Sequence, residues 1–267
     1  MAAILKTYIS SSPGGVLQIK RAFRVWQRHW MVYTKLYKTS FALNFVEPAL
    51  YLVAMGLGLG AFVKEIHGQP YIKFIAPGII ASSSMFAAVY ECTYGTYIRM
   101  TFQKTFDAIL ATPVNLDDLI AGELIWGATK SVIFGITITI VIALFGLVDS
   151  SLIVFAIPLT FLCGLIFAEI SIIFVAIVPG IDSFSYFYTL FMTPLFLFSG
   201  IFFPLDTMPH VVTSIAVFTP LYHLVTICRA FSAGTFSGAV WSIVWILVTV
   251  SLLAPFPFRL MRKRIIP

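Results

Sequence analysis

The sequence predicts an all-α integral membrane protein with six transmembrane helices. Of its 267 residues, 60% are hydrophobic and only 10% are charged, whereas about a quarter of the residues in a soluble domain are charged. A spanning helix needs about 20 mostly apolar residues, and such stretches recur along the chain. We place the spans at Phe41–Val63, Phe74–Cys92, Leu119–Val148, Leu152–Val178, Phe184–Phe203 and Ala239–Phe258.

The formal net charge is +6, and its distribution indicates membrane topology rather than nucleic-acid binding. Short cytoplasmic loops retain Lys and Arg. With six spans, one side of the membrane receives the positive residues before span one, between spans two and three (Arg99 and Lys104), and in the basic tail 259–267. The opposite side receives Lys64, Lys73 and Arg229. Both termini are therefore predicted to be cytoplasmic.

An amphipathic helix is predicted within residues 1–40, before the transmembrane domain at 41–258. Apolar and aromatic residues recur at steps of three and four from Ile19 to Tyr37, while basic residues occupy another face. Such a helix lies in the membrane interface, apolar toward lipid and basic toward anionic headgroups. The alternative is a helix packed on a soluble domain, but no residues remain to build one. The expected interface residues are Arg24, Trp26, Arg28 and Trp30.

A short helix is predicted on the cytoplasmic side between spans two and three, within residues 99–113. Pro113 prevents smooth continuation into the next helix, and Asn115 with Asp118 supplies an N-cap for span three. The alternative is a plain connecting loop, which would not need so many large apolar residues. Another surface on the cytoplasmic side should therefore cover the apolar stripe, which consists of Phe102, Phe106, Ile109 and Leu110.

Residues 204–232 are apolar but are interrupted by prolines, including Pro209 and Pro220. Irregular backbone at membrane depth persists only where protein or a water-filled cavity satisfies its polar groups. We therefore predict two short re-entrant helices on the outer side. The first is expected to begin at Asp206 and Thr207, and Pro220 is expected to separate it from the second.

Ionisable residues in or near the spans are candidate functional residues, because intramembrane charge is costly. Glu169 is the only carboxylate predicted near the middle of a span. A structural hydrogen bond is favoured there over proton relay, because no second carboxylate is spaced to relay to. Lys130 is predicted to lie inside a helix. The other carboxylates are expected near span ends, in solvated or helix-packing roles; they are Glu47, Glu91, Glu123 and Asp182.

The sequence predicts no catalytic residue and no metal site. It contains no phosphate-loop motif, and no Ser/His/Asp or Cys/His set is recognisable. Neither the three cysteines nor His210 and His223 have the spacing of metal ligands. No cofactor is therefore expected on this chain.

Several blocks together resemble the permease subunits of ABC-2 type exporters, which have the type V exporter fold. The blocks are the basic amphipathic helix, EPALYLVAMGLGLG, YIKFIAPGIIASSSMFAAVYECTYGTYIRM with the following TFQKTFDAILATPVNLDDLIAGELIWGATKS, and FSGIFFPLDTMP with TPLYHLVTICRAF. Within that superfamily the sequence is most similar to nodulation-type permeases that export lipo-chitooligosaccharides. The resemblance covers nearly the whole chain.

The resemblance implies an exporter of the bacterial inner membrane, in which two copies of this chain work with two copies of an ATPase subunit. That subunit would bind ATP and Mg²⁺, and membrane lipid would surround the permeases. The short helix would contact the ATPase through Phe102, Lys104, Phe106, Asp107, Ile109 and Leu110. The seam or pathway between the permeases would include Gly56, Gly58, Gly60, Pro194, Phe198, Ser199 and Gly200.

Other functions remain open at this point. The same architecture can export drugs, other lipids or polysaccharide. An ion-coupled secondary transporter would show inverted repeats with paired broken helices, and a membrane enzyme would depend on one or two polar residues without a partner. The phenylalanines of span five either present aromatic faces to substrate or face lipid: Phe191, Phe196, Phe198, Phe202 and Phe203.

Overall fold

The computed structural model describes residues 17–35, 46, 49–56, 58–63, 65–236 and 238–266. Among these residues, four helices are long and apolar enough to cross a membrane, or five if one bent pair counts as a span. Six spans are therefore not confirmed. The predicted first span, Phe41–Val63, falls partly outside the described residues, which include most of a shorter apolar helix at Ala49–Phe62.

The helices follow one another in the chain as α1 (Ile19–Lys35), α2 (Tyr71–Tyr90), α3 (Thr105–Leu110), α4 (Leu116–Leu144), α5 (Ala156–Ile177), α6 (Phe184–Phe187), α7 (Thr193–Phe198), α8 (His210–Ala216), α9 (Pro220–Ser232), α10 (Ala239–Leu253) and α11 (Pro255–Ile265). A two-residue hairpin precedes α2, with β1 (Glu65–Ile66) antiparallel to β2 (Gln69–Pro70). The core lies where α2, α4, α5 and α9 pack together.

The second predicted span is longer than its hydropathy indicates. Helical structure continues from α2 through two π-helical turns, Glu91–Gly95 and Ile98–Phe102, so that one helical segment covers Tyr71–Phe102. Arg99 therefore lies in this segment, and its prediction as a loop residue was wrong. Lys104, with φ of 53°, ends the segment in the left-handed region before α3 begins. Wide π turns frequently mark functional sites.

The start of α4 follows from its N-terminal sequence, as predicted. Asn115 has an extended backbone, and its N–H donates to Asp118 Oδ2 at 3.2 Å. The other carboxylate oxygen of Asp118 accepts the Gln18 N–H at 2.7 Å. One carboxylate therefore caps α4 and fixes the start of α1 against it.

Small residues allow α2, α4 and α5 to pack closely. A Cβ at Gly127 would collide with Cys92 Sγ on one side and lie 3.1 Å from Ala168 Cβ on the other. A Cβ at Gly164 would be 2.5 Å from Ser131 Cβ. Close approach through small residues is the usual way in which helices associate inside membranes.

We expect Gly127→Ala to destabilise the protein by about 1–3 kcal/mol, because the new methyl group overpacks the contact between α2, α4 and α5. Gly58→Ala is the matched control, since no described atom lies within 4 Å of a Cβ built there. Thermal unfolding of the purified variants measures the difference. Equal stability of the two variants would contradict this assignment of Gly127.

The interrupted segment contains two helices, but the first begins later than expected. Asp206 and Thr207 belong to a separate 3₁₀ turn, Leu205–Thr207, and α8 begins only after Pro209. Pro220 separates the two helices as predicted, and it is the first residue of α9, with Thr219 as the N-cap. The two helices are bent by 86° relative to each other.

Candidate functional site

A buried network of charges joins α4 to the π-helical end of the α2 segment. The Arg99 guanidinium lies 2.6 Å from Glu91 Oε1 and 2.5 Å from Glu123 Oε2. The Thr96 hydroxyl donates to the same Glu123 oxygen at 2.8 Å. Glu123 is 1% exposed. Its charge is therefore held in the protein interior by Arg99 and by hydrogen bonds.

Helix α1 adds to this network from the opposite side. Its face formed by Ala22, Val25 and His29 is buried, and Gly122 of α4 leaves room for Val25. The His29 Nε2 atom lies 3.0 Å from Glu123 Oε1. A helix is therefore present at the predicted place, but its position in the membrane interface is not confirmed, and one of its faces packs on α4 of the same chain.

Lys130 also has a carboxylate partner inside the protein. Its Nζ lies 3.6 Å from Glu91 Oε2 and 4.1 Å from the centre of the Tyr33 ring of α1. Burial, and to a smaller extent the charge of Glu91, raises the pKa of the Tyr33 hydroxyl. Glu91 therefore bridges the two cations Arg99 and Lys130.

A cleft of about 660 Å³ opens beside this network, between α2, its first π turn, α4 and α7. One wall is aromatic, with Tyr90 and Tyr94 stacked at a centroid distance of 6.2 Å. Tyr188 stacks on both rings from outside the lining, at 4.9 and 5.7 Å. Phe196 packs edge-on against Phe86 on this lining. Glu91 and Lys130 form its charged end, and the remaining polar lining is Ser82, Ser83 and Thr193.

The absence of a side chain at Gly95 leaves room for the Glu91–Arg99 ion pair beside the cleft. A Cβ there would lie 2.9 Å from Glu91 Oε1 and 3.0 Å from an Arg99 nitrogen. Glu91, Gly95 and Lys130 also line a second pocket of about 250 Å³ beside α1. The ion pair of Glu91 and Lys130 therefore stands between the cleft and α1.

The predicted apolar stripe of α3 does not face outward as a whole. Phe106 and Leu110 are 2% and 5% exposed and pack with Val25, Leu116 and neighbouring residues of this chain. Their assignment to a partner-contact surface is corrected, because the chain's own α1 and α4 cover them. Phe102, Lys104 and Asp107 are exposed and Ile109 is half-buried.

A groove of about 360 Å³ lies between α1 and α3 instead. Arg24 and Arg28 line it from α1, and Ala108 and Ile109 line it from α3. These arginines are therefore placed beside the short helix, whereas the sequence assigned them to lipid headgroups. The Trp26 indole N–H donates to the Thr129 hydroxyl at 2.9 Å, and Trp30 stays 39% exposed.

The residues predicted for a dimer seam divide into buried and exposed groups. A Cβ at Gly56 would lie 2.5 Å from Ile72 Cδ1 of the same chain. Ser199 and Gly200 are buried, whereas Gly56 is half-buried. The two buried residues therefore pack inside the chain rather than at a seam, and Gly56 packs at least partly against its own chain. Pro194 and Phe198 are exposed, and Gly58 and Gly60 have no described atom closer than 4.0 Å to a built Cβ.

The phenylalanines of predicted span five divide in the same way. Phe202 is 2% exposed and packs on Phe196, which is half-buried on the cleft lining. The stretch itself folds as α6, a π turn at Tyr188–Met192 and α7. The exposed members are Phe191, Phe198 and Phe203.

Glu169 lies in α5 and is 1% exposed, which agrees with the expected interior position. Its Oε2 has no hydrogen-bond partner within the described part of the chain, so the favoured structural hydrogen bond is not observed for that atom. Within the same residues, no group of His, Cys, Asp and Glu side chains has the arrangement of a metal site.

Sequence reasoning missed the network as a unit. Glu91, Gly95 and Arg99 are spaced by four residues, which places them along one helical face, and this spacing was a usable signal. Nothing in the sequence indicated that Glu123 and His29, from two other helices, would join them. Glu47 lies outside the described residues, and Asp182 is exposed in the turn before α6.

Long apolar helices, an interior charge network and an adjoining cleft define a multi-pass membrane protein of the transporter class. The chain belongs to the ABC-2 type transporter family, whose model matches residues 21–232. Membrane subunits of this family are transport components of ABC exporters rather than catalysts. Membership therefore implies association with an ABC ATPase subunit, in the bacterial inner membrane.

Curated relatives agree with this membership. Nodulation protein J of Sinorhizobium fredii (strain NGR234) is 35% identical over 77% of this chain and 78% of its own length. Nodulation protein J of Rhizobium meliloti is 35% identical over 79% of this chain and 80% of its own length. The inner membrane transport permease YadH of Escherichia coli is 22% identical over 76% and 78%.

Proposed function

We propose that this chain is the permease of an ATP-driven exporter of lipo-oligosaccharides or related glycolipids. The observation that carries the proposal is the cleft beside the Glu91–Lys130 pair in a chain similar to nodulation proteins. Aromatic faces suit both sugar rings and acyl chains, and the charged end offers hydrogen bonds to sugar hydroxyls. ATP and Mg²⁺ bind to the separate ATPase subunit.

The working unit in this proposal contains two permeases and two ATPase subunits. The permeases have six spans, with Phe41–Val63 and Phe184–Phe203 completing the set, and both termini are cytoplasmic. Helices α8 and α9 are re-entrant from the outer side. Pro194 and Phe198, which are exposed, supply part of the seam between the permeases.

The ATPase docks, in this proposal, in the groove between α1 and α3. Lys104 and Asp107 are exposed and are the sequence neighbours of the groove residues Thr105 and Ala108. Phe106 and Leu110 hold α3 on its own chain. Movement of α1 would be transmitted to Glu123 through His29, and to the cleft through the pocket that α1 shares with Glu91 and Lys130. ATP drives transport because it binds one of two conformations of the exporter more tightly than the other.

Reconstitution of the permease with its genomically adjacent ATPase into vesicles tests the function. We expect ATP-dependent movement of a lipo-chitooligosaccharide probe, and no movement with an ATPase variant that binds ATP without hydrolysing it. Movement of drugs or phospholipids alone would reject the glycolipid substrate and leave the exporter architecture. Absence of ATP turnover and of movement would reject the exporter itself.

The docking groove makes a separate prediction. Ala108→Glu places a larger carboxylate in the groove, where it can pair with Arg24 and Arg28 and fill the space proposed for the ATPase. We therefore expect loss of ATPase co-purification with normal membrane insertion. Thr34→Glu is the control, because Thr34 is exposed on α1 outside the groove. Pull-down from mild detergent measures both. Equal ATPase recovery with both variants would place the docking surface elsewhere.

A further inference from the structure

A separate polar cavity lies at the other end of the helical segment Tyr71–Phe102. It measures about 180 Å³, and its charged lining consists of Lys73, Asp149 and Arg229. Lys73 of its lining precedes Arg99 by 26 residues of one helical segment, which corresponds to about 39 Å at 1.5 Å per residue. The cavity shares no lining residue with the cleft described above, so the two are distinct.

Arg229 is the unusual residue of this cavity. Its Nη2 donates to the Gly200 carbonyl at 2.6 Å and to the Ile201 carbonyl at 3.2 Å. Its guanidinium stacks on Phe74 at 3.9 Å from the ring centre. Its Nε is buried and, within the described residues, has neither a hydrogen-bond partner nor a carboxylate in ion-pair range. The two carbonyl groups and the Phe74 ring hold the guanidinium in place, but none of them carries a negative charge.

The carboxylates near Arg229 are already engaged. Asp149 Oδ1 lies 2.5 Å from Lys73 Nζ, and Asp206 Oδ2 lies 3.2 Å from His67 Nε2. The two cations and one carboxylate of the lining leave one net positive charge in the cavity. A largely desolvated cation without a counter-ion is costly, and the planar guanidinium matches phosphate or carboxylate oxygens.

The rim of the cavity is preorganised by the short hairpin. His67 and Gly68 both have positive φ, 51° and 74°, as a two-residue type I′ turn requires. This turn fixes His67 edge-on to Phe74 and leaves Gln69 as a further polar residue of the lining. The cavity is smaller than the roughly 300–1,000 Å³ of sites for drug-sized ligands, so its size suits one small anionic group.

We propose that this cavity binds a phosphate group, with Arg229 and Lys73 as its cationic ligands. The phosphate belongs either to a phospholipid headgroup or to a free anion. Its assignment to the outer side of the membrane rests on the proposed orientation, whereas binding itself does not. ATP turnover with the ATPase subunit tests the exporter independently, so failure of one proposal is distinguishable from failure of the other.

Binding is tested with the full-length chain in a maltoside detergent that contains no phosphate. The probes are inorganic phosphate and dihexanoyl phosphatidylglycerol, each titrated at constant ionic strength against chloride, with thermal stabilisation as the readout. We expect saturable stabilisation by at least one probe. Stabilisation by the lipid alone identifies a headgroup site, and stabilisation by inorganic phosphate identifies a free-anion site. No saturable effect of either probe would overturn the proposal.

Variants of the Lys73–Asp149 ion pair are expected to change the affinity for the phosphate probe in opposite directions. Lys73→Gln removes a ligand and should weaken binding about tenfold, the size of one charged hydrogen bond. Asp149→Asn removes the competing carboxylate and should strengthen binding. Lys263→Gln, an exposed cation elsewhere, is the control and should leave binding unchanged. The assignment would be overturned if Lys73→Gln and Asp149→Asn changed the affinity for the probe in the same direction, or not at all. This test does not depend on whether an Arg229→Gln variant folds.

Discussion

Replacing Arg99 with alanine is expected to lower the free energy of unfolding by about 3–5 kcal/mol, because it leaves buried carboxylates without their cation. Glu123 is 1% exposed and receives a 2.5 Å contact from Arg99. Glu91 keeps Lys130 at 3.6 Å, whereas Glu123 keeps no other Lys or Arg in ion-pair range among the described residues, and the His29 imidazole lies 3.0 Å from it. The loss should therefore fall mainly on Glu123.

Thermal or denaturant unfolding followed by tryptophan fluorescence measures this effect. Arg259→Ala is the matched control, because Arg259 is exposed on α11 and such surface changes stay within about 0.5 kcal/mol. The double variant Arg99→Ala with Glu123→Gln should recover part of the loss, since the uncompensated charge is removed. If Arg99→Ala is as stable as Arg259→Ala, the network does not carry the stability assigned to it.

Blocking the cleft is expected to abolish most export while leaving the complex with the ATPase intact. Ser83 lines the cleft, and the native Cys92, Cys163 and Cys228 are free and buried. Ser83→Cys therefore gives a thiol at a chosen position with little background labelling. A bulky methanethiosulfonate reagent should stop ATP-dependent movement of substrate, and dithiothreitol should restore it because the mixed disulfide is reducible.

The same substitution at an exposed serine provides the control. Ser151 is exposed outside the cleft, so modified Ser151→Cys should transport normally. ATP turnover and co-purification are measured alongside, because a loss of either would indicate damage to the complex rather than a blocked path. Full transport by modified Ser83→Cys would show that substrate does not pass through this cleft.

Local signals in the sequence predicted local structure well. Asn115 and Asp118 predicted the start of α4, because a capping carboxylate and its backbone partner lie three residues apart. Pro220 predicted the start of α9, because proline cannot continue a preceding helix but fits the first turn of a new one. The repeated apolar stretches predicted long helices, and their length follows from membrane thickness.

Hydropathy failed where buried charges compensate one another. Span two was expected to end at Cys92, because Glu91 and Arg99 lower the average hydropathy. The helical segment instead continues to Phe102, since these side chains pair with each other and with Glu123. A hydropathy window counts each charged residue as if it had no partner. In the folded structure an ion pair across two helices offsets part of the desolvation cost of burying both charges.

The sequence by itself determined that this chain is a helical membrane protein of the exporter type, that a cap at Asn115 starts α4, and which faces are apolar. Only the tertiary structure decided what covers each face. Phe106 and Gly56 appeared suited to partner surfaces, but α1, α4 and Ile72 of the same chain occupy that space. Helical periodicity specifies that a face must be buried, and the identity of its neighbour depends on residues far away in the sequence.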